Sequence, residues 1–148
     1  MERKKSDLIG SYVLDSSVII KWFSEEENTD LALMFREGFL EGNVDIIVPD
    51  LQIYEIANAL RFNKKLTSAD VANAVNSLID IGINIVVPTK DVISSAIGIA
   101  FQFDITLYDA YYVALAKELN YNFVTADNNL YNKIKKLKFV KLLENLNI

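Results

Sequence analysis

Apolar residues recur along this chain in two rhythms. Tyr12, Val13 and Leu14 form a short run of the strand-favouring kind, and it stops abruptly on Asp15. Comparable runs follow at 44–48, closed by Pro49, at 83–87, punctuated by Pro88, at 122–124 and at 139–142. Between them the spacing widens to three or four residues, the helical repeat. A first helix follows Asp15, with Ser16 or Ser17 as its cap, because a hydroxyl oxygen satisfies amides that the first turn leaves free. The second covers 28–41 and turns Leu31, Met34, Phe35 and Phe39 inward, with Gly42 as its stop. Asp50 is expected to cap a third helix over 51–63, with Leu51, Tyr54, Ala57 and Leu60 on one face and Glu55 off that stripe. Thr67 and Asp70 are spaced as a capping box for a fourth, lined by Val71, Val75 and Leu78 and stopped by Gly82. Thr89 caps a fifth with Ile93, Ala96, Ile97, Ala100 and Phe101 as its buried stripe. A turn at 104–106 leads to a sixth helix over 107–119, with Asp109 in its first turn, and a short seventh covers 128–136.

Strands separated by helices predict parallel pairing through right-handed crossovers. The expected fold is therefore α/β, a three-layer α/β/α sandwich around a parallel sheet of about five strands. Residues 1–10 are lysine-rich and aperiodic and read as a flexible tail; 11–148 read as a single domain. No apolar run approaches the ~20 residues of a membrane span. The charged N-terminus has no apolar signal core behind it, so a cytoplasmic protein without membrane contact is expected.

Composition narrows the chemistry. The chain has neither Cys nor His. That excludes disulfides, thiolate zinc sites, cysteine nucleophiles, serine–histidine catalysis and imidazole metal ligands. Hydrolysis would have to use carboxylates, Lys, Tyr, Ser or a metal held by oxygen, and hard-cation logic then favours Mg²⁺ or Mn²⁺. The net charge of −5 argues against nonspecific nucleic-acid binding. It leaves a nucleic-acid substrate open, because acids gathered in one site would be offset by bound cations.

Four acids stand off the apolar stripes. Asp15 follows the first strand, Glu55 lies early in the helix after the second, Asp109 opens the helix before the fourth, and Asp127 follows the fourth. Each has an ordinary role: Asp15 as a cap, Glu55 as a solvated helical residue, Asp109 as a partner of its helix dipole, Asp127 as a turn residue. In a parallel sheet, however, all four belong near the C-terminal edge, where ligands of open α/β folds bind. Close carboxylates repel unless one takes a proton or a divalent ion lies between them. One or two ions held there would suit phosphoryl chemistry.

At these residues the chain resembles the PIN (PilT N-terminus) domain family, and within it the VapC toxins of VapBC toxin–antitoxin systems. The likeness rests on Val13-Leu14-Asp15-Ser16-Ser17 with Trp22, on the segment 49–60 with Glu55, Asn58 and Ala59, on 107–116 around Asp109, and on Phe123-Val124-Thr125-Ala126-Asp127 with Leu130. The resemblance implies a sheet ordered 3-2-1-4-5 and a Mg²⁺- or Mn²⁺-dependent endoribonuclease. It makes Asp15, Glu55, Asp109 and Asp127 the catalytic and metal-binding acids, with Ser16 and Thr125 as polar supports. Where many relatives carry a further acid, this chain has Asn128 and Asn129; Asn129 would support the site through its carbonyl oxygen, without charge. The resemblance further implies a homodimer and a small VapB-like antitoxin whose C-terminal segment crosses the active-site groove. Trp22, Phe23, Phe35 and Phe39 are candidates for lining that groove, with ordinary core packing as the alternative.

Arg61, Lys64 and Lys65 cluster at the end of the third helix as possible RNA contacts, and five lysines lie between 133 and 141. Both sets equally suit helix C-termini and solubility. Tyr108, Tyr111 and Tyr112 would either stack on bases or fill the core. Three other readings stand beside the toxin: a non-toxin PIN nuclease of RNA processing or decay, a noncatalytic binding module, and a receiver-type signalling domain. The last lacks the acidic pair such a site needs near the first strand, since Ser16 and Ser17 follow Asp15.

Overall fold

The structure is a computed structural model that describes residues 8–147. Most of the expected N-terminal tail therefore lies outside the described residues. Its last part does not behave as a tail: Leu8 is buried, and Gly10 opens the first strand.

The elements in chain order are β1 (Gly10–Leu14), α1 (Ser16–Ile19), α2 (Thr29–Leu40), β2 (Val44–Pro49), α3 (Leu51–Arg61), α4 (Ser68–Asp80), β3 (Asn84–Val86), α5 (Lys90–Phe103), α6 (Leu107–Leu119), β4 (Asn122–Thr125), α7 (Asn128–Ile134) and β5 (Val140–Leu142). A 3-10 turn, Ile20–Trp22, continues α1. All four strand pairings are parallel, and the sheet order is β3-β2-β1-β4-β5, as the resemblance implies. The order reverses between β1 and β4, which pair from Tyr12 opposite Asn122 to Leu14 opposite Val124. A crevice opens at the carboxyl ends of strands that diverge this way.

Alternation along the strands builds the two faces. Leu14 and Val124 point into one apolar cluster with Val18, Phe35, Ile46, Ile56 and Leu78. Val13 and Phe123 point into the other, with Val92, Ala96, Ile99 and the buried stretch of α6 from Ala110 to Ala116. The alanines of α6 have short side chains, so this helix packs close to α5 and to the sheet.

Two helix faces differ from the sequence reading. In α3 the buried stripe is Gln52, Ile56 and Leu60, and Tyr54 is 74% exposed. In α5 it is Val92, Ala96 and Ile99, which leaves Phe101 86% exposed. Caps differ as well. Asp50 makes no side-chain cap bond, while Thr67, Thr89 and Thr106 each accept from an amide of the first turn. The box at Thr67 and Asp70 is complete in both directions. After α2, Gly42 takes a left-handed φ of 82°, which any Cβ would strain.

Helix α2 lies on the sheet through a glycine. A Cβ at Gly38 would sit 2.6 Å from Cγ2 of Val44. Gly38→Ala is therefore expected to cost about 1–3 kcal/mol by overpacking, despite its better helix propensity. Urea unfolding checks this, and Val44→Ala in the same chain should recover part of the loss.

Candidate active site

Asp15 sits where β1 ends. Its amide donates to the Val124 carbonyl at 2.9 Å, and its own carbonyl accepts from the amides of Val18 and Ile19. The backbone is thus held by β4 on one side and α1 on the other. The side chain is buried, and Oδ2 accepts from both Ser17 Oγ and Thr125 Oγ1 at 2.7 Å. No hydrogen bond among the described residues ends on Oδ1. Burial pushes this carboxyl up to about 6; the two hydroxyls pull it back, and the charges of Asp109 and Glu55 push it further.

The same two hydroxyls anchor the next turn. Ser17 Oγ accepts from the Ala126 amide at 2.9 Å, and Thr125 Oγ1 accepts from the Asp127 amide at 3.0 Å. Neither Ser16 nor Ser17 caps α1; its N-cap residue is Asp15, without a side-chain cap bond. The serines turn instead to the acids. Ser16 Oγ donates to Glu55 Oε1 at 3.0 Å, and the Tyr112 hydroxyl donates to the same oxygen at 2.7 Å.

Asp109 lies in the first turn of α6, its amide held by Thr106 Oγ1 at 3.1 Å. Burial, then the charge of Glu55, push its carboxyl above the usual range; Asp127 adds to this, while the Thr106 bond and Lys133 oppose it. Asp127 is exposed and caps α7, its Oδ1 accepting from the Leu130 amide at 3.1 Å. The turn role expected of Asp127 is thus present.

The four acids share one electrostatic site. Asp15 feels Asp109 and Glu55, and Asp109 feels Glu55 and Asp127. Among the described residues no three carboxylates stand close enough to form a finished metal cage. The donor set nonetheless suits a hard divalent ion. It is all oxygen, Asp15 and Glu55 each keep one oxygen clear of the hydroxyls that hold the other, and Mg²⁺ takes only one or two carboxylates beside its waters.

Of the remaining sequence candidates, Tyr112 alone makes a side-chain hydrogen bond to one of the four carboxylates among the described residues. Asn129 is exposed in α7 and makes no hydrogen bond to the four acids. Arg61, Lys64 and Lys65 are exposed, and the Arg61 guanidinium lies over the Phe62 ring at 5.1 Å. Arg61 is six residues beyond Glu55, roughly 9 Å along the helix axis. Tyr112 is wholly buried and stacks on nothing from solvent, whereas Tyr108 is 62% exposed. Of the aromatic groove candidates, Trp22 and Phe23 line a cavity of about 300 Å³ with Arg36, Leu78 and Ile81, whereas Phe35 is core.

Two contributors escaped the sequence reading. One is Ser17, whose hydroxyl joins Asp15 to the Ala126 amide, a role that neither its cap chemistry nor its place in the first motif predicts. The other is Gln52, wholly buried, whose Nε2 donates to the Leu14 carbonyl at 2.7 Å. It ties the start of α3, one turn before Glu55, to the residue before Asp15. Its signal is the spacing of Gln52, Ile56 and Leu60, a helical stripe with an amide at its head.

The profile of the PIN domain family matches residues 12–136, and the chain belongs to this family. It is 28% identical over 129 residues to Ribonuclease VapC3 of Pyrobaculum aerophilum, an alignment covering 84% of this chain and 95% of that protein. A toxin–antitoxin complex from Klebsiella pneumoniae contains a chain of the same fold, with a TM-score of 0.68 at 14% identity over 89% of this chain and 97% of that one. VapBC2 from Rickettsia felis, bound to a DNA fragment from its promoter, gives a TM-score of 0.66 at 13% identity over 89% and 96%.

Proposed function

We propose that this protein is a divalent-metal-dependent endoribonuclease and the toxin of a type II toxin–antitoxin pair. One observation carries the reading: Asp15, Glu55, Asp109 and Asp127, from four separate elements, are electrostatically coupled at the β1–β4 switch point. Like charges that perturb one another cost stability, and groups perturbed in this way cluster at functional sites. The likeness to a VapC ribonuclease over most of both chains supports the same conclusion.

Asp15 and Glu55 would hold the metal through their unencumbered oxygens, with Asp109 and Asp127 completing the acidic rim. The ion would be Mg²⁺ or Mn²⁺, supplying a Lewis acid for the phosphate and a lowered pKa for an attacking water. The chain's own part is to orient. Ser17 and Thr125 fix the Asp15 carboxylate, and Thr125 also holds the amide of Asp127. The raised proton affinity of Asp15 and Asp109 makes proton and metal compete for the same site.

The antitoxin would lie along the groove of Trp22, Phe23, Arg36, Leu78, Asp80 and Ile81, whose apolar side chains flanked by one cation and one acid suit an amphipathic segment. A homodimer would cover the exposed Ile97 and Phe101 on one face of α5. No helix among the described residues is long and apolar enough to cross a membrane, and the proposed site of action is the cytoplasm.

The test is cleavage of a mixed cellular RNA pool by the purified protein with Mg²⁺, Mn²⁺ or excess EDTA, beside Asp109→Asn. Cleavage is expected with metal and to be lost in EDTA and in the variant. Full cleavage by a folded Asp109→Asn protein would refute the assignment.

A further inference from the structure

We infer that Tyr112 is a positioning residue: its hydroxyl, together with Ser16, fixes Oε1 of Glu55 and leaves Oε2 as the oxygen offered to a ligand. The inference rests on the nuclease reading for its consequence, and on geometry for its substance.

Three oxygens form a closed triangle. Tyr112 O lies 2.7 Å from Glu55 Oε1, Ser16 Oγ lies 3.0 Å from it, and the two hydroxyl oxygens are 2.9 Å apart. Two hydroxyl protons serve three contacts. An ionised carboxylate only accepts, so at most two of the contacts hold a proton at once. The shortest is the bond from Tyr112, and hydrogen bonds to ionised groups are the short, strong ones. The Ser16 proton then has a choice between Glu55 and the tyrosine oxygen. Tyr112 is thus the constant donor and Ser16 the adaptable one.

The ring explains why the donor holds still. Tyr112 is wholly buried, with its ring centroid 6.1 Å from that of Phe123. A phenylalanine would fill the same space, so packing accounts for the ring and not for the hydroxyl. Burial also removes base stacking as its purpose. Tyr112 follows Asp109 by one helical turn on α6, and residues at that spacing share a face. One helix therefore presents Asp109 and holds Glu55, which sets the relation between two acids that come from α6 and α3. Asp15 is treated alike, with one oxygen held by two hydroxyls and the other left clear.

Tyr112→Phe and Ser16→Ala test this in the full chain. Metal-free crystal structures are expected to show Glu55 in a single conformation in the wild type and spread over several in Tyr112→Phe, with the melting temperature nearly unchanged. Calorimetric titration with Mn²⁺ is expected to show affinity falling ~10–100-fold in Tyr112→Phe and less in Ser16→Ala, the usual scale for groups that orient ligands. The kcat for RNA falls with it, while KM stays. In a Glu55→Gln background Tyr112→Phe adds nothing further. An unmoved Glu55 with wild-type Mn²⁺ affinity would overturn the assignment. So would a collapse of folding in Tyr112→Phe, which would make the hydroxyl structural. A wild-type protein without metal-dependent cleavage would refute the nuclease reading alone, since the Glu55 conformation is read from metal-free crystals.

Discussion

Asp15→Asn is expected to raise the melting temperature of the metal-free protein at pH 8 while abolishing RNA cleavage. The Asp15 carboxyl moves from an ordinary 3.8 to about 6 on folding, chiefly because it is buried. The folded state therefore binds this proton more tightly than the unfolded one. The stability that comes with the proton is fully present below about pH 4 and is lost as pH rises through about 6. A shift of that size corresponds to about 3 kcal/mol, or roughly 5–10 °C for a domain of this length. Asn keeps the shape, and its carbonyl still accepts from Ser17 and Thr125. Scanning calorimetry in EDTA should show a large gain at pH 8, about half of it at pH 5 and little at pH 4. Asp109 is shifted in the same direction, so the wild type itself should be more stable at pH 5 than at pH 8 without metal. Adding Mn²⁺ should stabilise the wild type and leave Asp15→Asn nearly unmoved. Equal melting temperatures of both proteins at pH 8 would mean that Asp15 carries no buried charge.

Thr125→Val is expected to damage the site while preserving its shape. The Thr125 hydroxyl is buried, donates to Asp15 Oδ2 and accepts from the Asp127 amide, so it bridges two acids. Valine fills the same volume and makes neither bond. The amide of Asp127 loses its acceptor, and Asp15 loses one of two donors that favour its charged form. The Asp15 carboxyl should rise above about 6. A hydrogen bond to a charged group contributes about 1.5–3 kcal/mol, so the stability loss should be that large at pH 8 and smaller at pH 5, where Asp15 is protonated. Cleavage should fall ~10–100-fold. Chemical denaturation at the two pH values and a pH–rate profile separate these effects; a loss independent of pH would assign Thr125 to packing alone.

The layer structure and the positions of the acids were legible because they follow from alternation of short apolar runs with helical spacing. Asp15, Glu55, Asp109 and Asp127 stand at element boundaries, or just inside them, which periodicity marks well. The inner faces of α3 and α5 were not legible in the same way. In α3 the stripe begins with Gln52, a polar residue that hydropathy assigns to solvent; its bond to the Leu14 carbonyl accounts for its burial. In α5 the second half, from Ala96 to Phe103, is polar only at Gln102, so two stripes compete, and packing against α6 selects Val92, Ala96 and Ile99 over Ile97 and Phe101. Ser17 and Asp50 misled for another reason. Both have cap chemistry, but a cap depends on where the helix starts relative to other partners. For Ser17 those partners are Asp15 and Ala126, on the far side of a sheet pairing.

The pairing of β1 with β4 also sets the time at which this site comes into existence. Asp15 waits for Val124 and Thr125, 109 and 110 residues later in the chain, before its backbone and carboxylate acquire their partners. Contacts of such sequence separation form late, because the intervening loop must be closed first. During synthesis the first acid emerges early and stays unassembled until β4 has been made. A chain interrupted before residue 122 contains three of the four acids and lacks the strand that holds Asp15 in place. Truncated products of this kind should therefore lack the proposed nuclease activity.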